Sequence, residues 1–475
     1  MPTEPVYSFG IEFTANSFTD LTTRVERGSW GSAIVDLFRG PEPKVATFEL
    51  SNDTGDLSPR NNANLRPGKA IRLTATHGGS SYSLFYGRIT EISVSPVAGQ
   101  RTTLIEAVDD WDRVKRLTYN TSLFNNYPVQ SLFCTLMSLS SVKSFSADPG
   151  IADRVGFAWY KNRDAENAIY DLVKSGNYQL LVDGSGTYYL RDRYWALFAL
   201  TVNTYTAARD VREYLNTDSV VNRMKMVGSP RQLSTNVATL SFIPQPISIP
   251  ASSGIGFWVG FQDPNEPTQD VPVSSLVTPV ASTDYFAAAN SDGTGTVLTA
   301  SLTLNFTGFA ASAVCSLFNG GPTDAWLTRF QVRGYPVTLL PELSSQYDVA
   351  SSQDAFGVRN LTVDNALIQN LPFMDSLSKT IATERKDGKD SLRLALSNEF
   401  PDVLANVPGQ LLSLVDTFTG YSALWRVRGT SHELNLAGGL EHRATYDAEA
   451  YDTQPWLVLD HATMGKLDSG RVLAI

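Results

Sequence analysis

Cysteine is nearly missing: the 475 residues contain two, Cys134 and Cys315. They lie far apart, in the apolar settings LFCTLM and SAVCSLF, and read as buried free thiols. That excludes a disulfide framework and makes folding in a reducing cytosol the expectation. Charge is sparse as well. Asp, Glu, Lys and Arg together make up 18% of the chain, against about 25% in ordinary soluble proteins. Between Gln232 and Asp324 there is no Lys or Arg. Basic residues are the minority, 38 against 48 acids, for a net charge of −10. This argues against a duplex-binding footprint, which needs a basic face. An acidic channel that nucleic acid crosses without sticking stays open. No apolar run approaches the roughly 18 residues of a membrane helix. The longest, Trp195–Val202, is short and interrupted by Thr201. The start, MPTEPVYSFG, has neither the basic nor the apolar stretch of a secretory signal, so no leader is expected.

Catalytic signatures are absent in the same way. The four histidines, His77, His432, His442 and His461, have no metal-ligand spacing. His432-Glu433 opens like H-E-x-x-H, but Leu436 stands where the second histidine belongs. His432 and His442 read as strand residues near loops. Gly184-Ser185-Gly186 is a hairpin turn and not a nucleophile elbow. No phosphate- or dinucleotide-binding glycine pattern occurs. Asp183 and Asp292 sit in glycine-containing turns without the ligand ladder of a calcium loop. No catalytic, cofactor-binding or metal-binding residue is assigned, no cofactor is expected, and the chain is not expected to be an enzyme. The run Tyr188, Tyr189, Tyr194, Trp195 and Phe198 fits a strand packed on both faces better than a carbohydrate platform. Lys69, Arg72, Arg88 and Arg101 form either an interface for an acidic neighbour or solvated strand ends.

Apolar residues at 42% and aromatics at 11% suffice for real cores, and the length suggests about three domains. The first stretch reads as β, with strands at Ala33–Phe38, Ala46–Leu50, Ala70–Thr76, Ser83–Ser95 and Thr102–Val108, separated by Gly, Pro and Asn clusters. Asp109–Arg116 reads as a helix, acids first and bases last. Helices are predicted at Pro128–Val142, with Pro in the first turn, and at Asp164–Ser175, capped by Asp164 and ended by Gly176. Tyr178–Arg193 reads as a hairpin around DGSG. A strand at Val220–Val227 precedes the basic-free stretch, which reads as an inserted all-β sandwich over 236–325. Strands resume over 326–340, a helix covers Leu371–Arg385, and strands follow at 391–396, 411–416, 422–429 and 432–437. From about Tyr446 the chain reads as an extended tail.

One internal correspondence stands out. PGKAIRL (67–73), YGRITEISV (86–94) and TTLIEAVDD (102–110) match PGQLLSL (408–414), WRVRGTSHELNL (425–436) and HRATYDAEA (442–450) in order and spacing. Either a β unit is duplicated, or two meanders share a Pro-Gly turn. A true duplication in a cyclic trimer would give pseudo-six-fold symmetry.

Together with WGSAIVDLFRG (30–40), FELSNDTGDLSP (48–59), LRPGKAIRL (65–73), LFYGRITEI (84–92), VVNRMKMVG (220–228), FQVRGYPV (330–337) and YSALWRVRGTSHEL (421–434), these segments make the sequence resemble the tail hub, or baseplate hub, proteins of long-tailed bacteriophages of siphophage type. The resemblance implies a mainly β fold with minor α: two tube-like β-barrel domains, a small α+β domain and an inserted β-sandwich. The expected domains are a first barrel at 1–115, an α+β domain at 116–210, a second barrel at 211–235 and 326–445, the sandwich at 236–325, and a C-terminal tail at 446–475. It implies a structural virion protein of the tail tip, assembled in the host cytoplasm as a homotrimer. Its duplicated barrels would form a pseudo-hexameric ring joining the six-fold tail to a three-fold tip. The implied partners are a six-fold distal tail or tail-tube protein, the tape-measure protein C-terminus, and other tail-tip or receptor-binding proteins, with DNA passing through the channel without specific binding and no membrane segment. Two other readings compete. One is a carbohydrate-binding tail-tip protein using the 236–325 sandwich; the other is a cell-wall glycosidase or peptidase.

Overall fold

The computed structural model describes residues 4–33, 42–97, 99, 101–193, 195, 202–205, 210–214, 217–264, 266–405, 407–416, 421–451, 456–457 and 472–473. The strand expected at Ala33–Phe38 lies outside these beyond Ala33, as do Tyr194, Phe198, His461 and most of the expected tail. The fold is mainly β.

Thirteen strands build one large sheet. From the first part of the chain come β1 (Val6–Thr14), β2 (Ser17–Asp20), β3 (Val25–Ala33), β4 (Val45–Ser51), β5 (Ala70–His77), β6 (Ser80–Ser95) and β7 (Thr102–Val108). From the later part come β8 (Val202–Tyr205), β9 (Asp210–Tyr214), β10 (Ser391–Ser397), β11 (Leu411–Asp416), β12 (Tyr421–Asn435) and β13 (Glu441–Tyr451). Their order is β9-β10-β13-β12-β3-β4-β7-β6-β5-β1-β2, with β11 paired to β12 and β8 to β11. Alternation drives burial. In β4 the residues Ala46, Phe48 and Leu50 point into the core, while Val45, Thr47 and Glu49 face away. The expected tail is still strand as far as Tyr451.

The strand order repeats. The β4-β7-β6-β5 series corresponds to β10-β13-β12-β11, and every adjacent pair in both is antiparallel. Gly68 (φ +88°) and Gly409 (φ +89°) make the same turn before β5 and β11. Each donates its N–H to the carbonyl of the next long strand, Gly68 to Ile89 at 2.7 Å and Gly409 to Val427 at 2.8 Å. Ile89 and Val427 return the bond to Lys69 and Gln410 at 2.9 Å each. A bulge follows immediately in both, between Ile89 and Glu91 and between Val427 and Gly429. Two unrelated meanders would share a turn; they would not also share its hydrogen bonds and the next bulge. The repeat is imperfect at one strand: β1 runs antiparallel to β5, whereas β8 runs parallel to β11.

The remaining elements form their own cores. Helices Val129–Leu139 and Ala165–Gly176 pack their apolar stripes, Leu132, Phe133 and Leu136 against Ala168, Ile169 and Leu172, beneath a hairpin of Gln179–Val182 and Thr187–Arg191. Asn177, at φ +53°, takes the left-handed position after the second helix that Gly176 was expected to fill. Gly176 is instead the last helical residue, and its bare Cα makes room for the Tyr178 ring, which a Cβ there would meet at 2.2 Å.

The insertion is a two-layer β unit around Phe261, Phe330, Ile249 and Cys315. One layer is Ser253–Gly260, Ser312–Asn319 and Leu302–Gly308. The other is organised on the long strand Ala325–Leu339, which pairs with five strands of residues 231–288. Residues 326–339 were expected with the second barrel. Their strong alternation identified a strand but not its partners. Residues Arg223–Gly228, Leu343–Asp348 and Asn360–Asn365 form a separate three-stranded sheet under the helix Leu371–Arg385. Each unit closes a core, but the described strands form no closed barrel.

Candidate functional site

The two halves of the large sheet meet at one antiparallel junction between β3 and β12, from Arg27 opposite Asn435 to Ala33 opposite Gly429. Strand β12 is long enough to serve twice. Its first half pairs with β11, and its second half, on the same edge, pairs with β3. Glycine permits close approach here: a Cβ on Gly31 would lie 3.1 Å from the Thr430 carbonyl oxygen.

On the buried side of the junction, Trp30 stacks on His432 at 5.0 Å between ring centroids, 6° from parallel. His442 packs against both rings. The Tyr7 hydroxyl lies 2.8 Å from His442 Nδ1, and His442 Nε2 lies 3.2 Å from His432 Nδ1. The chain of bonds closes when both imidazoles are neutral, with Tyr7 donating to His442 and His442 donating on to His432. Burial enforces that state. It pushes His442 down to about 3 and holds His432 well below the usual imidazole range. The pair expected to be ordinary strand residues thus sits at the seam. No sequence spacing announced it, because the two rings meet between paired strands and His432 stacks on a tryptophan 402 positions away.

A second buried group lies at the far end of β12. Arg385, Arg426 and Arg428 surround Glu449. Arg428 Nη1 donates to Glu449 Oε2 at 2.7 Å. Burial opposes the Glu449 charge, but the three guanidiniums win and hold its carboxyl far below the normal range. In the first unit Arg88, at the place of Arg426, pairs with Asp110 at 2.8 Å, two residues beyond the position that Glu449 takes.

The opposite face of the sheet is exposed and carries Glu49, Glu91, Glu106, Glu433, Glu441 and Asp447, with Arg27, Arg393 and Arg443 between them. A cleft of about 390 Å³ crosses the junction on this face, lined by Arg27, Glu49, Glu433, Glu441 and Arg443 among others. Glu91 stands directly opposite Glu106, a like-charge pair that a sheet ordinarily avoids.

The basic residues singled out in the first β region do not converge. Arg88 binds Asp110, Lys69 Nζ donates to the Phe13 carbonyl at 2.9 Å, and Arg72 lies over the Phe18 ring. Arg101 is exposed and reaches the Asp53 carbonyl at 3.4 Å. Tyr188 is core, and Tyr189 donates to Asp183. The DGSG turn is a hairpin whose Asp183 carboxylate accepts from Ser185 and Thr187 N–H. It is pressed onto β6 so closely that a Cβ at Gly184 would sit 1.8 Å from the Ser83 carbonyl oxygen. Asp292 accepts from its own turn at Thr294. Both cysteines are free thiols, but only Cys315 is buried as expected, which pushes it up to about 11; Cys134 is half-buried. His77 packs near Phe400.

No protein-family model and no curated protein matches this chain. Among solved structures, the tail protein from Neisseria meningitidis MC58 matches with a TM-score of 0.52 over 93% of this chain and 96% of its own, at 11% identity. This chain has a tail-protein fold. Matches of lower similarity include the prophage MuSo2 43 kDa tail protein from Shewanella oneidensis (TM-score 0.49, 7% identity, 93% and 97% covered) and the prophage tail protein gp18 from Listeria monocytogenes EGD-e (TM-score 0.42, 8% identity, 94% and 94% covered). At these identities the likeness concerns the backbone, and it spans the tail-protein fold from end to end.

Proposed function

We propose that the chain is a structural virion protein, the trimeric hub of a phage tail. Its two sheet units would alternate around a pseudo-hexameric ring that joins a six-fold tail to a three-fold tip and lines the channel for DNA and the tape-measure protein. The single observation that carries this reading is the duplicated strand order, joined edge to edge within one chain. A cyclic trimer of such chains presents six similar positions to a six-fold neighbour. The exposed face with its surplus of carboxylates is the surface suited to a lumen, because phosphate retention requires basic partners. Virion location, tape-measure contact and assembly in the host cytoplasm belong to the same proposal. Light scattering with negative-stain imaging tests it. A mass three times 51.9 kDa with a central hole is the expected result; a chain that stays monomeric at micromolar concentration overturns it.

A second reading, binding of a neutral glycan, is favoured by one face of the insertion. On the three-stranded layer, Trp258 (63% exposed) and Phe318 (50% exposed) stand about four residues apart, roughly 13 Å along the sheet. Between and beside them lie Gly254, Gly256, Ser316, Thr303, Asn305 and Thr307, all exposed, with no charged side chain. Rings alternating with hydroxyl and amide groups suit a ligand whose surface alternates in the same way. Titration of the full chain with maltohexaose, cellohexaose and chitohexaose, read by tryptophan fluorescence, tests this. Saturable binding lost in Trp258→Ala supports it; no binding to any of the three counts against it.

A further inference from the structure

Among the open edges that the sheet's described residues leave, two match the two edges already joined within the chain. Strand β9 is the end of the sheet, paired only to β10 among the described residues, and all five of its residues are exposed. The second half of β6, beyond Ile89, pairs with β7 on one side and with no described strand on the other. The internal repeat gives both edges a meaning. Through their partners, β9 corresponds to β3: Arg212 faces Arg393 as Ser29 faces Thr47, and Glu213 faces Leu392 as Trp30 faces Ala46. The second half of β6 corresponds to the second half of β12: Val94 takes the place of His432 and Ser95 that of Glu433, counted from the shared bulge. Within the chain, β3 and the second half of β12 are hydrogen-bonded to each other.

We propose that copies of this chain join by antiparallel strand addition, β9 of one copy against Ser93–Val97 of the next, in the register that β3 and β12 use inside the chain. The pairs are Tyr214 with Ser93, Glu213 with Val94, Arg212 with Ser95, Val211 with Pro96 and Asp210 with Val97, the N–H bond at position 96 being absent because proline has no donor. The occupant is a second copy and not another protein, because the chain already contains the complementary edge and the geometry of its docking. The contact is head to tail: it consumes one edge of each type per copy and leaves the next copy the same pair, so it propagates until a ring closes. It also supplies a charge match. Trp30 packs on His442 across the existing junction, 5.4 Å between rings. In the new junction Trp30 is replaced by Glu213 and His442 by Arg101, both exposed in one copy. The acid of one chain thus arrives beside the base of the next. Val97, 58% exposed, is covered by the same contact.

The proposal rests on the hub reading, and the test separates the two. Residues directly opposite in an antiparallel pair have Cα atoms about 4.5–5.5 Å apart, within disulfide reach. The full chain carrying Ser95→Cys and Arg212→Cys is oxidised and run without reductant. Val94→Cys with Arg212→Cys, one residue out of register, is the control, because its side chains leave opposite faces of the sheet. The expected result is covalent oligomers ending at three chains in the first variant and none above background in the control. Glu213→Arg is expected to lose the oligomer peak, and Arg101→Glu in the same chain to restore it. An oligomer by light scattering whose paired cysteines cross-link no better than the control overturns the strand register and leaves the hub reading standing. A chain that stays monomeric overturns both.

Discussion

His432 and His442 are neutral in the folded chain, and their position decides the sign of one pH response. In the unfolded chain each titrates near 6.5, while in the fold His442 is held at about 3 and His432 below its ordinary value. Between these limits the unfolded state binds more protons, so their contribution is complete above about pH 7 and is lost as pH falls. The loss is about 1–2 kcal/mol per histidine at pH 5. Asp109, buried and pushed up to about 6, works in the opposite sense over the same range. The informative measurement is therefore a difference. Calorimetric melting from pH 7.5 to 5 should fall less steeply in His442→Asn than in the native chain, whatever the variant costs at neutral pH. An unchanged slope would contradict the buried neutral pair. None of this was legible in the sequence. His432-Glu433 failed as a metal motif and nothing else recommended it. The rings acquire their role from Tyr7 and Trp30, which reach them only through sheet pairing.

At the scale of elements, the Pro-Gly turns were the most readable feature. PGK and PGQ each place a glycine at positive φ before a strand, and the sequence showed both. The surroundings differ in a way the sequence did not show. A Cβ at Gly68 would meet nothing within 4 Å, whereas at Gly409 it would lie 2.5 Å from Leu181 Cδ1. Gly68→Ala is expected to cost about 1 kcal/mol, from backbone strain alone. Gly409→Ala adds overpacking, about 1–3 kcal/mol more. Thermal unfolding of the two variants side by side checks the order. Helices were also legible, since Leu132, Phe133, Leu136 and Met137 recur at helical spacing and are all buried. Strands β3 and β9 were not. One is rich in glycine and the other is VREY flanked by acid, and neither shows the apolar alternation that marks a half-buried strand. Of the two strands of the junction, β12 was legible from its alternation and β3 was not.

At the scale of the whole molecule, low charge and the absence of catalytic motifs pointed toward assembly, and the fold is that of a solved tail protein. The duplication was visible as six short segments in matching order. What the segments could not convey is that both copies share one sheet, because that depends on β3 finding β12. Nor could they show that the second copy is split. Its strands β8 and β9 precede residues 217–390, which build two further cores, and β10 to β13 follow them. The order in which the pieces leave the ribosome then matters. Strand β3 emerges early and has β4 beside it soon after. Its other edge waits for Gly429–Asn435, about 400 residues later, which at 5–20 residues per second is roughly 20–80 s of synthesis. For that time a nascent chain carries an open strand edge able to pair with its neighbour on the same polysome. Gly31, which lets the finished seam close tightly, and Gly28, which makes room for the Phe48 ring, leave that waiting edge with little apolar side chain to offer a stranger.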